Sequence, residues 1–458
     1  MILILGAGIA GLSASHFLGH ERCLVLEKSA EAGGHLRSTR RDGFVWDTGP
    51  HVSFTRSELV RALFSDSVGG EFEEFEARVG NYFRGSWIDH PAQTSLHQVP
   101  EPLRSACLQS FLETRRDDAS APPAVADYAQ WLEQAFGPVF AQAFPQAYTR
   151  KYWTREAHEL GTSWIGGRIL YPRPDDVVQG SRGPLSRNMH YFSKVRYPRA
   201  GGYEAFAGGL RAGARIRFGA EVARIDLARK RVWLADGEEL AYDQLVNTLP
   251  LPVFVGLCAD VPEPVRAHAR RLACTQLLLV NVAAPHPTRR PEHWLYVYDE
   301  DKLATRINFT ERLSPANAPA GWTGVQAEVY FSRHKPLRDT PDAIAAQVER
   351  ELVEMGLVDP DSFAPGHASH RHHSFSPWAN VIFDHDTAPA LAAIWSWLEG
   401  FGLRREADDL SPLTDWGQPA SAAPGPADLA MAGRFGQWKY FWSDDCVLRG
   451  HRLAQQQA

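Results

Sequence analysis

The N-terminal residues most constrain the fold, because a short apolar run leads directly into a glycine turn. Residues 1–5 (Met-Ile-Leu-Ile-Leu) predict a buried β-strand, and residues 6–11 (Gly-Ala-Gly-Ile-Ala-Gly) follow it without a gap. In this G-x-G-x-x-G pattern Gly6 permits a tight turn, Gly8 lets the backbone approach a pyrophosphate, and Gly11 lets the next helix pack close to the strand. The pattern therefore predicts a dinucleotide site at the N-terminus of a helix.

The residues after the turn complete the unit. Residues 12–18 predict a helix, and residues 23–26 (Cys-Leu-Val-Leu) predict a second strand that ends at Glu27. A carboxylate about twenty residues past the glycines can accept hydrogen bonds from a ribose. A glycine-rich turn that binds no ligand would not account for this acid, so we interpret the segment as part of a dinucleotide-binding domain.

A second pair of glycines indicates which dinucleotide is bound. Gly33 and Gly34 lie shortly after Glu27, and Arg37 follows them. This extension is similar to that of FAD enzymes related to the amine oxidases, in which a second backbone segment lies against the phosphates and Arg37 could add positive charge. No second G-x-G-x-x-G occurs after residue 11, which argues against a separate nicotinamide domain.

The C-terminal region predicts the matching half of the FAD site. Gly433 and Arg434 open a turn, Asp444 follows, and a helix of small residues is predicted to start near Gly450. In such enzymes this turn returns to the first domain and holds the flavin with backbone N–H groups. We also assign Val222, at the start of a predicted strand, to the cofactor. No cysteine or histidine is clearly placed to bond to the flavin, so we expect non-covalent FAD.

Length, charge and composition exclude several other classes. A chain of 458 residues with 44% apolar residues suits two or three domains. A formal charge of −6 argues against a nucleic-acid surface. Five scattered cysteines without C-x-x-C spacing predict neither a disulfide framework nor a zinc site, and no metal ligands are assigned. The N-terminal run is too short for a signal peptide and no run reaches about 18 apolar residues, so we expect a cytoplasmic protein without a membrane span.

The order of predicted elements indicates an α/β protein with a discontinuous, Rossmann-like FAD-binding domain, a helical insertion and a sheet-based substrate domain. Alternating strands around a hairpin turn at Asp236 and Gly237 support its middle part. Further strands at 277–282 and 325–331, with helices at 342–355 and 389–400, support the substrate domain. The predicted division is residues 1–80 (FAD-binding domain, first part), 81–190 (helical substrate or cap region), 191–252 (FAD-binding domain, second part), 253–410 (sheet-based substrate domain) and 411–458 (FAD-binding domain, C-terminal part).

Over almost its full length the chain resembles the flavin-dependent UDP-galactopyranose mutases, in particular the eukaryotic-type and related bacterial members. These enzymes share the FAD domain of the protoporphyrinogen oxidases and amine oxidases. The segments that carry the resemblance are residues 47–54 (Asp-Thr-Gly-Pro-His-Val-Ser-Phe), 87–93 (Trp-Ile-Asp-His-Pro-Ala-Gln), 163–168 (Ser-Trp-Ile-Gly-Gly-Arg), Tyr296 with Arg306, and 438–440 (Trp-Lys-Tyr).

The resemblance implies a set of site residues. It implies that His51 lies beside the flavin, although a core histidine that holds a turn is the alternative. It places Arg168 and Arg306 on the diphosphate of a nucleotide sugar, where a guanidinium can pair with phosphate oxygens in two-point fashion. Each arginine alone could instead be a surface ion-pair partner. The tyrosines and glutamine that it assigns to the substrate are Gln93, Tyr148, Tyr296 and Tyr440.

The resemblance also implies the chemistry. In that family the flavin is active when reduced: its N5 attacks the anomeric carbon and displaces the nucleoside diphosphate, and the sugar ring opens and closes with a different size. The reaction is an isomerisation, and an external reductant such as NAD(P)H would prepare the flavin. No protein nucleophile is needed, and no Ser-His-Asp or Cys-His arrangement is evident.

Several substitutions distinguish this chain from the family pattern. His90 and Ala92 stand where an aromatic partner for uracil is expected, Thr149 replaces an asparagine after Tyr148, and Asn380 replaces a tyrosine. These changes favour a related sugar nucleotide or a new task over UDP-galactose itself. The alternatives are an FAD-dependent oxidoreductase, similar to an amine oxidase or desaturase, that acts on a small molecule, and a flavoprotein that has lost catalysis. The sequence leaves the base, the sugar and the oligomeric state open.

Overall fold

The computed structural model describes residues 1–115, 125–186, 194–363, 370–418 and 427–456. Its strands are β1 (Ile2–Leu5), β2 (Cys23–Leu26), β3 (Ser38–Arg41), β4 (Phe44–Asp47), β5 (Phe72–Glu76), β6 (Val79–Phe83), β7 (Ser86–Asp89), β8 (Lys194–Pro198), β9 (Ile216–Arg217), β10 (Val222–Asp226), β11 (Arg231–Leu234), β12 (Glu239–Ala241), β13 (Gln244–Asn247), β14 (Gln276–Ala284), β15 (Trp294–Val297), β16 (Arg306–Phe309), β17 (Thr323–Phe331), β18 (His370–Ser376) and β19 (Leu429–Met431).

The helices alternate with these strands along the chain. They are α1 (Ile9–Leu18), α2 (Glu58–Ser67), α3 (Leu103–Thr114), α4 (Tyr128–Phe136), α5 (Pro138–Ala141), α6 (Ala147–Tyr152), α7 (Pro174–Arg182), α8 (Gly208–Arg211), α9 (Leu251–Leu257), α10 (Glu263–Arg271), α11 (Thr310–Leu313), α12 (Pro341–Glu354), α13 (Thr387–Glu399) and α14 (Ser443–Gln455). None of these helices has the length and apolar character that crossing a bilayer requires, within the described part of the chain.

A parallel sheet joins three distant parts of the chain. Its strand order is β19-β13-β1-β2-β9, and every neighbouring pair is parallel. All four residues of the central strand β1 are buried, as expected for a strand covered on both faces. The sheet confirms the predicted α/β class, because N-terminal, middle and C-terminal strands complete one Rossmann-like unit.

Two glycines, which have no side chain, allow α1 to pack closely against its neighbours. A Cβ atom at Gly11 would lie 1.9 Å from the carbonyl oxygen of Gly6, so the turn before α1 has no space for a side chain there. A Cβ at Gly450 would lie 2.7 Å from the backbone of Ser13, where α14 crosses α1. The C-terminal helix begins at Ser443 and not near Gly450 as predicted, because the Asp445 carboxylate accepts the Trp442 N–H and starts it earlier.

A larger mixed sheet forms the other half, with the order β18-β14-β17-β16-β15-β6-β7. Its pairs are antiparallel except β15 with β6. Ile344, Val348 and Leu352 of α12 pack against one face in a buried apolar cluster. The predicted strands at 277–282 and 325–331 are confirmed and are somewhat longer in the structure.

The remaining elements connect the two halves. Strands β10, β11 and β12 form an antiparallel sheet, and the predicted turn at Asp236 and Gly237 is confirmed between β11 and β12. Residues 81–89, assigned to the helical region, contribute to β6 and β7 of the large sheet before helices α3 to α7 follow. The predicted division near residue 190 lies outside the described residues, and the domain boundaries stay a prediction.

Candidate functional site

A cavity of about 580 Å³ lies along the carboxyl ends of the parallel strands and reaches the large sheet. This position is where open α/β sheets bind their ligands. The segments that line its cofactor half are residues 5–6, 8–10, 26–28, 34–36, 48–54, 220–222, 248–250, 433–435 and 440–444.

Two glycine segments form the floor of this half. The Gly33 N–H donates to the Ala7 carbonyl oxygen at 2.8 Å, which holds the second segment beside the first. A Cβ atom at Gly34 would lie 3.1 Å from the Cα of Gly8. Gly6, Gly8 and Gly34 line the cavity, whereas Gly11 and Gly33 lie behind it and provide the close packing. Such a surface of backbone at a helix N-terminus fits the pyrophosphate of a dinucleotide.

Glu27 lies at the end of β2 and lines the cavity. Its Oε2 accepts the Ala7 N–H at 2.8 Å and its Oε1 accepts the Ser29 N–H at 2.9 Å, so the carboxylate is fixed by the backbone. A carboxylate offers about four acceptor positions, which leaves capacity for ribose hydroxyls. Val222 lines the same end of the cavity. Arg37 does not: its guanidinium pairs with Glu31, away from the lining residues.

The C-terminal segment closes the cavity from the opposite side. Gly433 has a φ of 84°, and a Cβ there would lie 2.8 Å from the Cβ of Ala10. The Arg434 Nε donates to the Phe441 carbonyl at 2.7 Å, and its Nη1 donates to Asn380 Oδ1 at 3.2 Å. These contacts tie the segment to the connection between β18 and α13. Burial, followed by repulsion from Asp445, raises the pKa of Asp444 to about 6.

Two histidines line the middle of the cavity. His51 Nδ1 donates to the Gly49 carbonyl oxygen at 2.7 Å, and its ring stacks on Tyr203 with the centroids 5.3 Å apart. Burial lowers the pKa of His51 to about 3, and Arg434 adds to the effect. His35, which the sequence did not single out, bonds through Nε2 to Ser376 Oγ at 3.1 Å, and burial lowers its pKa to about 4. Both rings are therefore neutral at physiological pH.

The far end of the cavity has a wall of aromatic, polar and charged groups supplied by the large sheet, α6 and the connection between β18 and α13. We call it the sheet wall, and its members are Tyr152, Trp294, Tyr296, Arg306, Glu328, Tyr330, Trp378 and Asn380. Tyr296 pairs directly with Arg306 across β15 and β16, and Arg306 pairs with Glu328 across β16 and β17. Tyr440, from the C-terminal segment, lines the cavity as well.

An ion pair dominates the charge of the sheet wall. Arg306 Nε lies 2.6 Å from Glu328 Oε2, and its Nη2 lies 2.8 Å from Oε1. Burial opposes the charge on Arg306, but the Glu328 carboxylate outweighs it and raises the arginine pKa. Burial, and then Glu328, also raise the pKa of Tyr330. The sheet wall thus presents protonated phenols around the Arg306–Glu328 ion pair, whose net charge is zero.

Three of the predicted substrate residues do not line the cavity. Arg168 lies behind Tyr440: its Nη2 donates to the Tyr440 carbonyl at 2.7 Å, and its guanidinium is 4.3 Å from the Trp442 ring centroid. Tyr148 packs edge-on against Tyr296 at 5.6 Å. Gln93 lies on a 3-10 turn, half-buried and outside the lining. The structure therefore brings Arg306, Tyr296 and Tyr440 together with His51, and places the other three one layer away or further.

Sequence reasoning missed Tyr152, Glu328 and Tyr330 as members of the sheet wall. Glu328 had a usable signal, because a carboxylate within the apolar run of β17 is rarely buried without a partner. Tyr330 lies two residues further, on the same face of the strand. Tyr152 had no comparable signal, since aromatic residues on a helix most often belong to a core.

The family becomes clear when the chain is compared with known proteins. Residues 9–411 match the family of flavin-containing amine oxidoreductases. The fold is similar to that of a structure of reduced UDP-galactopyranose mutase, with a TM-score of 0.84 and 19% sequence identity over 99% of this chain and 94% of that one. At this identity the similarity shows the fold alone. The cofactor is FAD, and the glycine floor, Glu27 and the C-terminal segment fit it.

Curated relatives include proteins that are named as an oxygenase and as a desaturase. The 4,4'-diapolycopene oxygenase of Methylomonas sp is 24% identical over 409 residues, which covers 78% of this chain and 82% of that protein. The 4,4'-diapophytoene desaturase of Staphylococcus aureus (strain Newman) is 29% identical over 117 residues. That match covers 25% of this chain and only 22% of the desaturase, so the aligned part spans about a fifth of that relative's length.

Proposed function

The chain belongs to the flavin-containing amine oxidoreductase family, and from that premise we propose that it is an FAD-dependent mutase that acts on a nucleotide sugar. The observation that carries the proposal is the sheet wall, which sets the Arg306–Glu328 ion pair among tyrosines at the end of the FAD cavity. The similarity of the fold to UDP-galactopyranose mutase supports the same choice.

The chemistry of the wall favours a polar substrate. A hydrocarbon placed against it would remove water from the ion pair and the phenols without offering them a hydrogen bond, and burying such groups without partners is costly. A sugar and a diphosphate offer both hydroxyls and acceptor oxygens. Because burial raises the pKa values of Tyr152 and Tyr296, these phenols stay protonated and can donate to the substrate. The Tyr330 hydroxyl donates to the Glu328 carboxylate instead.

The residues of the chain would bind and orient the reactants. Reduced FAD, when bound, supplies a nucleophilic nitrogen that can displace a nucleoside diphosphate from the anomeric carbon. Arg306 would pair with the leaving diphosphate, and Tyr296 and Tyr440 would donate hydrogen bonds to it. His51 is neutral and its Nδ1 donates to Gly49, so Nε2 would offer a lone pair toward a polar group in the cavity.

An oxidoreductase is the second candidate. The similarity to 4,4'-diapolycopene oxygenase extends over 78% of this chain and favours it. The position of Arg168 behind Tyr440 also makes the two functions harder to tell apart, because of the two arginines expected on a diphosphate, Arg306 lines the cavity and Arg168 does not. In that case the aromatic rings of the wall would hold an amine or an unsaturated chain beside the oxidised flavin.

One pair of incubations separates the candidates. Dithionite-reduced holoenzyme is incubated without oxygen with UDP-, GDP-, ADP-, CDP- and dTDP-sugars, and the products are separated by chromatography. We expect one sugar nucleotide to convert to its ring isomer, with no conversion by oxidised enzyme. Oxidised enzyme is tested in parallel with amines and carotenes and an electron-accepting dye. Dye reduction, together with no isomer from any sugar nucleotide, would replace the mutase by the oxidoreductase.

A further inference from the structure

A single lysine joins the helix and the strands that build the sheet wall. Lys151 lies on α6, and the residue is only 4% exposed. Its Nζ donates to the carbonyl oxygens of Val297 at 2.8 Å, Asp299 at 2.7 Å and Ala304 at 2.8 Å. An ammonium group has three donors, so these three bonds use all of them.

The acceptors of Lys151 lie at the end of one site strand, β15, and in the connection that follows it. Residues 298–305 link β15, which carries Tyr296, to β16, which begins at Arg306. On the other side of the contact, α6 carries Tyr148 and Tyr152. The Tyr148 ring lies 5.6 Å from Tyr296, and Tyr152 lines the cavity.

Other groups fix the same connection from the opposite side. Glu351 of α12 accepts the Leu303 N–H at 2.8 Å and the Ala304 N–H at 3.2 Å. The Thr305 N–H donates to the Glu328 carbonyl oxygen at 2.8 Å. With α12 and β17 holding the connection in place, the buried bonds from Lys151 tie α6 to it.

We propose that Lys151 is a positioning residue, which sets the spacing between the α6 tyrosines and the β15–β16 pair and thereby the shape of the substrate site. It touches neither the cavity nor the reacting atoms. Its effect on nucleotide binding rests on the proposed function, whereas its effect on the flavin environment does not, because Tyr152 lines the FAD cavity in either case.

The test compares two neighbouring residues of α6. Lys151→Met keeps the length of the side chain and removes all three bonds. Arg150→Gln is the matched control, because Arg150 also binds this connection, through Glu300 at 2.6 and 2.7 Å, but from a half-buried position with access to solvent. Each holoprotein is measured for FAD content, melting temperature, flavin absorption spectrum and binding of UDP, ADP, GDP, CDP and dTDP by calorimetry.

We expect Lys151→Met to retain FAD, to shift the flavin absorption band and to weaken nucleoside diphosphate binding by at least tenfold. Arg150→Gln should bind within about twofold of wild type with an unshifted band. A residue with a merely structural role would lower the melting temperature and leave affinity and spectrum unchanged. That outcome, or equal effects in both variants, would overturn the inference.

A second variant, Lys151→Arg, tests the inference if Lys151→Met does not fold correctly. If Lys151→Met is recovered without FAD, Lys151→Arg decides, because it keeps the buried charge but its planar fork cannot direct three donors from one atom. We expect full flavin content and at least tenfold weaker binding; wild-type affinity would overturn the inference. If wild type binds no nucleoside diphosphate, the proposed function fails. The flavin band then decides the role of Lys151: a shift in the Lys151 variant but not in Arg150→Gln supports the inference, and any other result overturns it.

Discussion

Arg306 and Glu328 lie opposite each other on β16 and β17 and form a two-point ion pair at the end of the FAD cavity. The side chain of Glu328 is 2% exposed and that of Arg306 is 25% exposed, so the carboxylate is buried and the guanidinium reaches the cavity. Two of the five N–H donors of the arginine are used by the pair. An anionic substrate therefore meets a neutral pair and not a full positive charge.

Glu328→Gln should tighten the binding of nucleoside diphosphates by about tenfold, because it leaves Arg306 with its full charge in a weakly screened site. Calorimetric titration of the oxidised holoenzyme measures the change. Glu74→Gln is the matched control, since Glu74 pairs with Arg196 across β5 and β8 at 2.7 Å, away from the cavity. Unchanged or weaker binding in Glu328→Gln would show that Arg306 does not contact the diphosphate.

Glu27→Ala should weaken FAD binding by roughly 10- to 150-fold, the equivalent of about 1.5–3 kcal/mol for charged hydrogen bonds. The loss has two sources, the ribose hydroxyls and the N–H groups of Ala7 and Ser29 that the carboxylate holds. Fluorescence titration of apoprotein with FAD gives the dissociation constant. Glu31→Ala serves as the control, because Glu31 is exposed, pairs with Arg37 and does not line the cavity. Equal constants for Glu27→Ala and wild type would contradict the ribose assignment.

Acid precipitation should release the flavin into the supernatant. Cys446 lines the cavity, but burial raises the pKa of its thiol to about 12, so it lacks the thiolate that a covalent bond would need. The nitrogens His35 Nε2 and His51 Nδ1 are engaged with Ser376 and Gly49. Absorbance of the supernatant and the pellet measures the partition, and yellow colour retained by the washed pellet would contradict non-covalent binding.

Acid should destabilise the protein through His51. Its pKa is about 3 when folded and about 6.5 when unfolded, so between these values the unfolded chain binds more protons and stability falls as pH falls. Asp47 and Asp444 have pKa values raised to about 6 in the folded protein, so their contribution to stability increases as the pH falls below 6. The comparison of wild type with His51→Gln isolates the histidine: between pH 7 and 5 wild type should lose about 1–2 kcal/mol more in urea unfolding. Parallel losses in the two proteins would show that His51 is solvated.

Gly11→Ala should abolish FAD retention and lower the melting temperature, because its Cβ would lie 1.9 Å from the Gly6 carbonyl oxygen. The turn cannot move away without displacing Gly8 and the floor of the cavity. Gly256→Ala is the control: Gly256 lies on α9, and a Cβ there meets nothing within 4 Å. Flavin content after gel filtration and the melting temperature report the result, and normal retention by Gly11→Ala would contradict the packing role.

Short sequence patterns were sufficient to predict the FAD-binding half of the fold. The strand, glycine turn and acid of residues 1–27 and the turn at Asp236 and Gly237 are set by residues near in sequence, and the structure contains each of them. The backbone conformation of these turns depends on steric contacts between neighbouring residues, so it can be predicted from the local sequence. The start of α14 was misplaced because its cap depends on one carboxylate, Asp445, and not on the small residues that follow.

The composition of the substrate site was decided by tertiary structure. Arg306 and Glu328 are twenty-two positions apart and meet only because β16 and β17 pair in one register, and a shift of one residue would place the two side chains on opposite faces of the sheet. Tyr152 enters the same wall because Lys151 holds α6 against the β15–β16 connection. Arg168 matches a motif by sequence, yet its contacts with Tyr440 and Trp442 place it behind the cavity lining. Sequence alone therefore determined the cofactor and the unit that holds it, whereas strand register and helix docking, which depend on contacts between distant residues, determined which side chains face the substrate.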